Sequence, residues 1–544
     1  MAGFADLSPE LIEAIFRHTV DGPSVHVDRR RLQRLQRVNK SFGAIARRLL
    51  FRRVVIDSPA RGAKLLEALK GDPSLTGLVR FITVKEQAFG QPSVFSDLTQ
   101  DDLLRLCTKA SAFDSPYASF APLKDGRQPL ACYPKTLQAV RLGTPFARSS
   151  GAVHAPSDDS SDDDSADESD LHDPMRPSKD YVSLLTNLPT SLKELKLSRL
   201  PHHLLPSERP TPSLRLTHLT SLVLDFVTIS PVFLDWLVPT ARLEKLQLWC
   251  VRGVSASTIL QFVRKQSQVK EVLFKPQGSK QGTRLGNEIV VYLPTLERLT
   301  LGSGACDHEI YSLLPPTLTH LCVSLPNYHN NTRLLPIAQE ITTRLMNLRV
   351  LELYSQLYFP STIEVIYPPR QANEPSSLRE VRLSHITAAP GEIISFLDSV
   401  GSSVFTLAVH HVSEEQSAFL EYCPSLRRLE VGRTNYEPVA SVTFFEEISE
   451  SFLSYLRIHF DSGIALSHVL ENLAFFAHSG LRTLELVGVF PGNLSGDWLL
   501  GGSIDELVEQ CKAGEVDLCV NGRMIETVGD LWRSLVGQTG RETL

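Results

Sequence analysis

Cysteine is scarce in this chain, with eight in 544 residues and none in a CxxC pair. That excludes a dense disulfide framework and a cysteine-based zinc module. Thiols this sparse read as reduced, as in cytosol or nucleus. No apolar run approaches the roughly 18 residues a membrane helix needs, and the first residues lack the charged-then-apolar layout of a secretory signal. A soluble protein of cytoplasm or nucleus, without membrane association, is therefore expected, and the sequons at Asn330 and Asn493 are expected to stay bare. A surplus of positive charge is missing too, since the formal net charge is −6, so nothing draws the whole chain to nucleic acid or anionic lipid. There is no GxxxxGK[ST] loop, and Gly302-Ser303-Gly304 stands without the rest of a dinucleotide fingerprint. The pairs His202-His203 and His410-His411 have no cysteine or carboxylate at metal spacing. Neither metal nor cofactor nor catalytic residue is expected.

What the chain has instead is repetition. The phrase "SLKELKL" at 191–197 sets an apolar residue, two others, an apolar residue, one other, and a final apolar residue. The pattern returns as "LTSLVL", "LEKLQL", "VKEVLF", "LERLTL", "LTHLCV", "LRVLEL", "LREVRL", "VFTLAV", "LRRLEV", "LSYLRI" and "LRTLEL". The closing positions run from Leu197 to Leu486, 289 residues in 11 steps or about 26 per step, inside the roughly 20–29-residue period of leucine-rich repeats. Less regular copies precede them, "FRRVVI" at 51, "VRFITV" at 79 and "LQAVRL" at 137. Helix-like stretches lie between: one opened by Ser230-Pro231, "STILQFVRKQ" at 257–266, and one opened by Pro390. One strand and one helix per copy predict an α/β solenoid, a leucine-rich-repeat horseshoe with parallel concave strands and outer helices. "CPSLRRLEV" at 423–431 is similar to the cysteine-containing class of these repeats, a class frequent in F-box proteins.

Charge is unevenly spread. Residues 158–173 carry nine acids and no lysine or arginine, while residues 1–60 carry 11 Lys/Arg against six Asp/Glu. The acidic run has no core-forming side chain and predicts a disordered loop at 151–178 extruded from the array. Ser160, Ser161 and Ser165 each precede an acid by three residues, which resembles acidophilic-kinase sites; a plain solvated spacer is the other reading. Residues 111–135, rich in Ala, Ser and Pro, predict a further loop. The expected organisation is a helical segment at 1–56, irregular repeats at 51–150, the acidic loop at 151–178, regular repeats at 179–500 and a capping region at 501–544. In the last region Ser503 and Glu506 form a capping box, "EVDLCV" reads as a strand, Asn521-Gly522 as a tight turn, and "DLWRSLV" as a closing helix.

At the start of the chain, "LSPELIEAIF" predicts a short amphipathic helix, with Ser8 as N-cap, Pro9 at the first helical position and Leu7 stapling back onto Ile12. Leu11, Ile12, Ile15 and Phe16 share one face, and Glu10, Glu13 and Arg17 turn outward. After a polar loop, Leu32, Leu35, Val38, Phe42, Ile45, Leu49 and Phe51 continue at helical spacing, with a break near Asn39. "RRRLQRLQR" at 29–37 reads as a solvated helix face rather than a nucleic-acid or import signal. Together, "LSPELIEAIF" and "LQRLQRVNKSFGAIARRLLFRRV" resemble the F-box over residues 6–54, about a tenth of the chain, with a longer loop at 20–30 than the compact motif has. An F-box followed by leucine-rich repeats is a known family architecture.

The resemblance implies a non-catalytic substrate receptor of a Skp–cullin–F-box ubiquitin ligase, docked by helix-in-groove contacts on an acidic Skp-family adaptor and through it on a cullin. It implies that Leu7, Pro9, Leu11, Ile12, Ile15, Leu35 and Val38 face the adaptor. The same residues could instead hold the three-helix unit together and cap the solenoid, leaving a protein-interaction scaffold without a ligase role. An adaptor partner acting outside any ligase is the third reading. On the strands, residues alternating with the buried leucines predict a concave face for an unknown protein substrate. Its candidates are Trp249, Arg298, His320, Tyr354, Arg382, His410, Arg428 and His459, with Trp249 and Tyr354 as exposed aromatic anchors. Acids such as Glu352, Glu380, Glu430 and Glu485 lie among them, and mixed signs argue against a nucleic-acid track.

Overall fold

The computed structural model describes Leu11, Glu13, Arg34, Arg37 and Val38 together with residues 40–84, 97–115, 133–143, 188–200, 216–237, 242–276, 283–307, 309–325, 334–355, 378–384, 390–409, 420–431, 451–459, 480–487 and 503–527. The acidic run with Ser160, Ser161 and Ser165 lies outside these residues, as do Leu7, Pro9, Ile12, Ile15, Leu35, His410 and the "DLWRSLV" stretch. The chain forms two compact units, Met1–Gln266 and Ser267–Leu544.

In the first unit, α1 (Lys40–Arg52) runs directly into β1 (Arg53–Ile56). Phe42, Ile45, Ala46 and Leu49 bury one stripe of α1, the i, i+3, i+4, i+7 spacing of an amphipathic helix. Leu11, Glu13 and Arg34 are helical, and the break comes as a turn at Arg37 and Val38. Glu13 does not turn outward as expected, because its carboxylate reaches Arg48 of α1 at 3.1 Å.

Seven strands of the first unit pair in parallel and in sequence order. After β1 come β2 (Phe81–Val84), β3 (Ala112–Ser115), β4 (Ala139–Gly143), β5 (Glu194–Ser198), β6 (Ser221–Asp225) and β7 (Lys245–Trp249). Helices fill several of the crossovers: α2 (Pro59–Gly71), α3 (Pro73–Thr76), α4 (Asp97–Leu106), α5 (Pro231–Leu237) and α6 (Ala256–Arg264). Their starts follow from local chemistry. Ser58 accepts a hydrogen bond from the Arg61 N–H with Pro59 as first helical residue, and Ser255 does the same for Thr258, each meeting one of the orphan donors of a helix start. β3 corrects the expectation of a loop beginning at 111. Its copy of the pattern, "ASAFDS", puts Ala110 and Ser115 where leucines stand elsewhere, and Ala110, Phe113 and Ser115 are all buried.

The second unit repeats the arrangement through β8 (Glu271–Lys275), β9 (Arg298–Leu301), β10 (His320–Leu325), β11 (Val350–Ser355), β12 (Glu380–Ser384), β13 (Thr406–Val409), β14 (Arg428–Val431), β15 (Tyr455–His459), β16 (Thr483–Val487) and β17 (Asp517–Val520), all parallel. Its helices are α7 (Thr283–Val291), α8 (Ile310–Leu313), α9 (Leu335–Thr343), α10 (Pro390–Val400) and α11 (Ser503–Ala513). β18 (Arg523–Met524) folds back antiparallel on β17. Asn521 and Gly522 between them have φ of 49° and 75°, the left-handed pair a two-residue hairpin turn requires.

The apolar positions of all twelve regular copies are at most 4% exposed, so the period read from the sequence is the period of the core. A second periodic feature pins the register. The residue just before each copy is often a hydroxyl that donates back to the preceding repeat: Thr136 to the Thr108 and Ala110 carbonyls, Ser191 to Lys135 and Leu137, Thr317 to Pro294 and Leu296. Thr295, Ser403 and Ser425 do likewise. Each such bond satisfies backbone groups that the turn into the strand would otherwise leave unpaired. Among the described residues, no helix is long and apolar enough to cross a membrane.

Candidate functional site

Because strand side chains alternate, the face opposite the core collects every second residue in rows across neighbouring strands. In the second unit the central row runs Glu352, Arg382, Ala408, Glu430, Arg457 and Glu485, in register on β11 to β16. These charges form one connected network. Arg382 donates to Glu380 at 2.6 Å and approaches Glu430 at 3.6 Å. Glu430 also meets Arg457 at 3.5 Å and His459 at 2.7 Å, and Arg457 lies 3.6 Å from Glu485. The Tyr455 hydroxyl donates to Glu485, and the Arg428 guanidinium stacks 4.3 Å from the Tyr455 ring centre.

Arg382 and Glu430 belong to strands two places apart, roughly 9.6 Å between backbones. They meet because the side chain between them is only the methyl of Ala408. None of Arg382, Glu430, Arg457 and Glu485 has more than 22% of its side chain exposed, so the network is largely shielded from water. Burial alone would raise the Glu430 carboxyl. The His459 hydrogen bond and the charges of Arg457 and Arg382 outweigh it and hold it at about 2. Glu352, at one end of the row, goes the other way: burial raises it, against Arg382 and a hydrogen bond with Cys322. The Cys322 thiol is pushed well above its usual range by burial and by Glu352.

Of the residues expected on this face, Arg382, Arg428 and His459 are therefore brought together, through Glu430 or through Tyr455 and Glu485. Arg298 is exposed on β9. His320 is half-buried, bonds Thr319 Oγ1 through Nδ1 at 2.8 Å, and is held down to about 4 by burial, Arg298 and Arg349. Trp249 and Tyr354 correct the expectation of exposed anchors, being 6% and 4% exposed. Trp249 is the last residue of β7, where the chain is leaving the strand, whereas Tyr354 lies within β11 with Ser355 still paired after it. Cys250, right after Trp249, has φ 49°, as Arg199 (56°) and Phe226 (50°) do at the same place in the two preceding repeats. Tyr354 pairs in register with the small Ser324, and its hydroxyl donates to the Leu301 carbonyl two strands away at 3.3 Å. Arg457 and Tyr455 were missed in the sequence, although "LSYLRI" places them at the same outward positions as the other candidates.

The first unit carries a sparser version. Asp114, Arg141 and Lys196 share a row, and Arg141 donates to Glu194 at 2.9 Å. Burial raises the carboxyls of Asp114 and Asp225 despite neighbouring arginine and lysine.

No protein-family model matches the chain, and no curated protein matches it. Among solved structures it is similar to a chain in the crystal structure of the mouse RP105/MD-1 complex, at 10% identity over 82% of this chain and 92% of that one, with a TM-score of 0.24. A likeness so loose carries no argument, and the repeat architecture rests on the strand registers themselves.

Elsewhere, burial pushes the thiols of Cys107 and Cys511 up to about 11 and those of Cys306 and Cys423 up to about 12. A thiol held protonated at neutral pH is a poor nucleophile. Among the described residues, no three His, Cys, Asp or Glu are grouped to hold a metal.

Proposed function

We propose that the chain is a non-catalytic substrate-recognition subunit of a cullin-type ubiquitin ligase. Its N-terminal helices dock on a Skp-family adaptor, and the strand face of its repeats binds a protein substrate. The observation that carries this reading is the division of the N-terminal apolar residues. Phe42, Ile45 and Leu49 are buried in the helical segment, while Leu11 and Val38 are exposed. Large apolar side chains left exposed ahead of the buried stripe of α1 fit contacts with a second protein. The basic surplus of residues 1–60 suits an acidic adaptor.

The rival reading, a scaffold whose first helices only cap the array, draws on the unbroken passage of α1 into β1. A pull-down with the purified Skp-family adaptor and its cullin separates the two, comparing the full chain with Pro9→Ala/Leu11→Asp, folding being checked by circular dichroism. Recovery of adaptor and cullin, abolished in a folded double variant, is the expected result. Failure of the parent chain to bind the adaptor overturns the ligase reading and leaves the scaffold; adaptor without cullin leaves a partner acting outside the ligase.

A further inference from the structure

Large apolar side chains are exposed along one edge of the second unit, where its strands begin. Phe452 is 76% and Phe405 41% exposed, and neither position asks for an aromatic. Phe452 occupies the place just before the repeat phrase, where Thr136, Ser191, Thr295, Thr317, Ser403 and Ser425 carry the hydroxyl that ties one repeat to the last. Phe405 stands two residues later in the pattern, where its counterparts in neighbouring repeats are Arg379, Arg427 and Arg482. Those arginines stand immediately before β12, β14 and β16 in the same line, and Arg427 lies 5.5 Å from the centre of the Phe452 ring. Against them, the described turns leading into these strands present one exposed carboxylate, Glu421; Glu380 is buried and bonded to Arg382.

We infer that this leading edge of β12 to β16 is a docking strip for an acidic peptide segment bearing apolar side chains. The inference rests on the reading of the repeats as a protein-recognition surface and names the kind of substrate segment that surface takes. Five adjacent strands span roughly 19 Å, the length of about six residues of extended peptide. Within that length the Arg427 and Arg482 guanidiniums can each take a carboxylate in a charge-assisted pair, and the two phenylalanines offer apolar contacts beside them. The next row inward is Glu380, Thr406, Arg428, Tyr455 and Thr483, and the row beyond it sets Glu430 and Glu485 against Arg382 and Arg457.

The test is fluorescence anisotropy on the full chain with labelled acidic peptides of about ten residues. Each has two apolar side chains, set at every spacing up to six, and lysine-substituted peptides and oligo-deoxythymidylate of equal length serve as the other arms. Binding of acidic peptides only is expected, weakened at least tenfold by Phe452→Ser and by Arg427→Glu/Arg482→Glu. Phe452→Ser introduces the residue type that the other repeats use at this place, so the fold is kept, and adaptor binding monitors it. No binding by any acidic peptide, binding untouched by both variants, or oligonucleotide binding as tight and as sensitive overturns the inference. If the adaptor still binds while the peptides do not, the strip alone is wrong; if peptides bind and the adaptor does not, only the ligase reading falls.

Discussion

Arg141 and Glu194 in the first unit meet with 47% and 31% of their side chains exposed, while the Arg382–Glu430–Arg457–Glu485 network of the second is shielded on almost every side. Both stand on outward strand positions of the repeat pattern, Arg141 in the place of Arg382 and Glu194 in the place of Glu380. Exposed pairs gain little because water already solvates each partner and screens the attraction. In the shielded network each charge depends on the next, so removing one leaves the others buried without compensation. The strand face is thus a tolerant surface in one unit and a fixed electrostatic assembly in the other.

The largest expected effect is on Glu430, shared by two arginines and a histidine. Glu430→Ala should lower the opening free energy of β14 and β15 by about 3–5 kcal/mol, read by hydrogen exchange of their amides. A change below 1 kcal/mol would put the network on a par with an exposed pair. Acid should act in the same sense. The Glu430 carboxyl is held at about 2 in the folded chain, below the usual value of about 4.3. Its stabilisation is therefore full above the unfolded value and lost as pH falls toward 2, roughly 3 kcal/mol in all. Asp114 and Asp225 in the first unit, and Glu352 in the second, are raised by burial. Each contributes stability that is complete below its unfolded value and disappears as pH rises through its folded one. Exchange measured from pH 5 to pH 2.5 should show β14 and β15 loosening while β3 and β6 hold or tighten; parallel behaviour of both units would refute the contrast.

Ala408→Leu comes next. A branched side chain between Arg382 and Glu430 blocks their contact and crowds a buried site, which should cost about 1–3 kcal/mol by the same exchange measurement at β13. Tyr455→Phe removes one hydroxyl donor to Glu485, which keeps Arg457, so a loss of about 1 kcal/mol is expected. Glu194→Ala in the first unit should fall below about 1 kcal/mol. A cost for Glu194→Ala equal to that for Glu430→Ala would erase the distinction between the units.

The core was legible because leucine, isoleucine and valine at a fixed period leave few alternatives. β3 escaped since alanine and serine fill its leucine positions, and a buried Ser115 gives no apolar signal. The outward row was legible by alternation alone for Arg382, Arg428 and His459. Trp249 was misread because alternation holds only while the backbone is extended and β7 ends there; Tyr354, still inside β11, is covered because it stands beside the small Ser324 and reaches across to the Leu301 carbonyl. Pairing was not legible at all: that Arg382 reaches Glu430 depends on the methyl of Ala408, a gap in one strand that matters only once three strands lie side by side.

The two-residue strand β18, turned back by Asn521 and Gly522, has a consequence for how these molecules behave in a crowd. A parallel sheet exposes at its border a row of unmatched N–H and C=O groups that can template another chain. Here the border of β17 is closed by β18, whose Arg523 and Met524 are exposed and too few to recruit a further strand. The array carries its own stop, and losing that turn would invite end-to-end polymerisation.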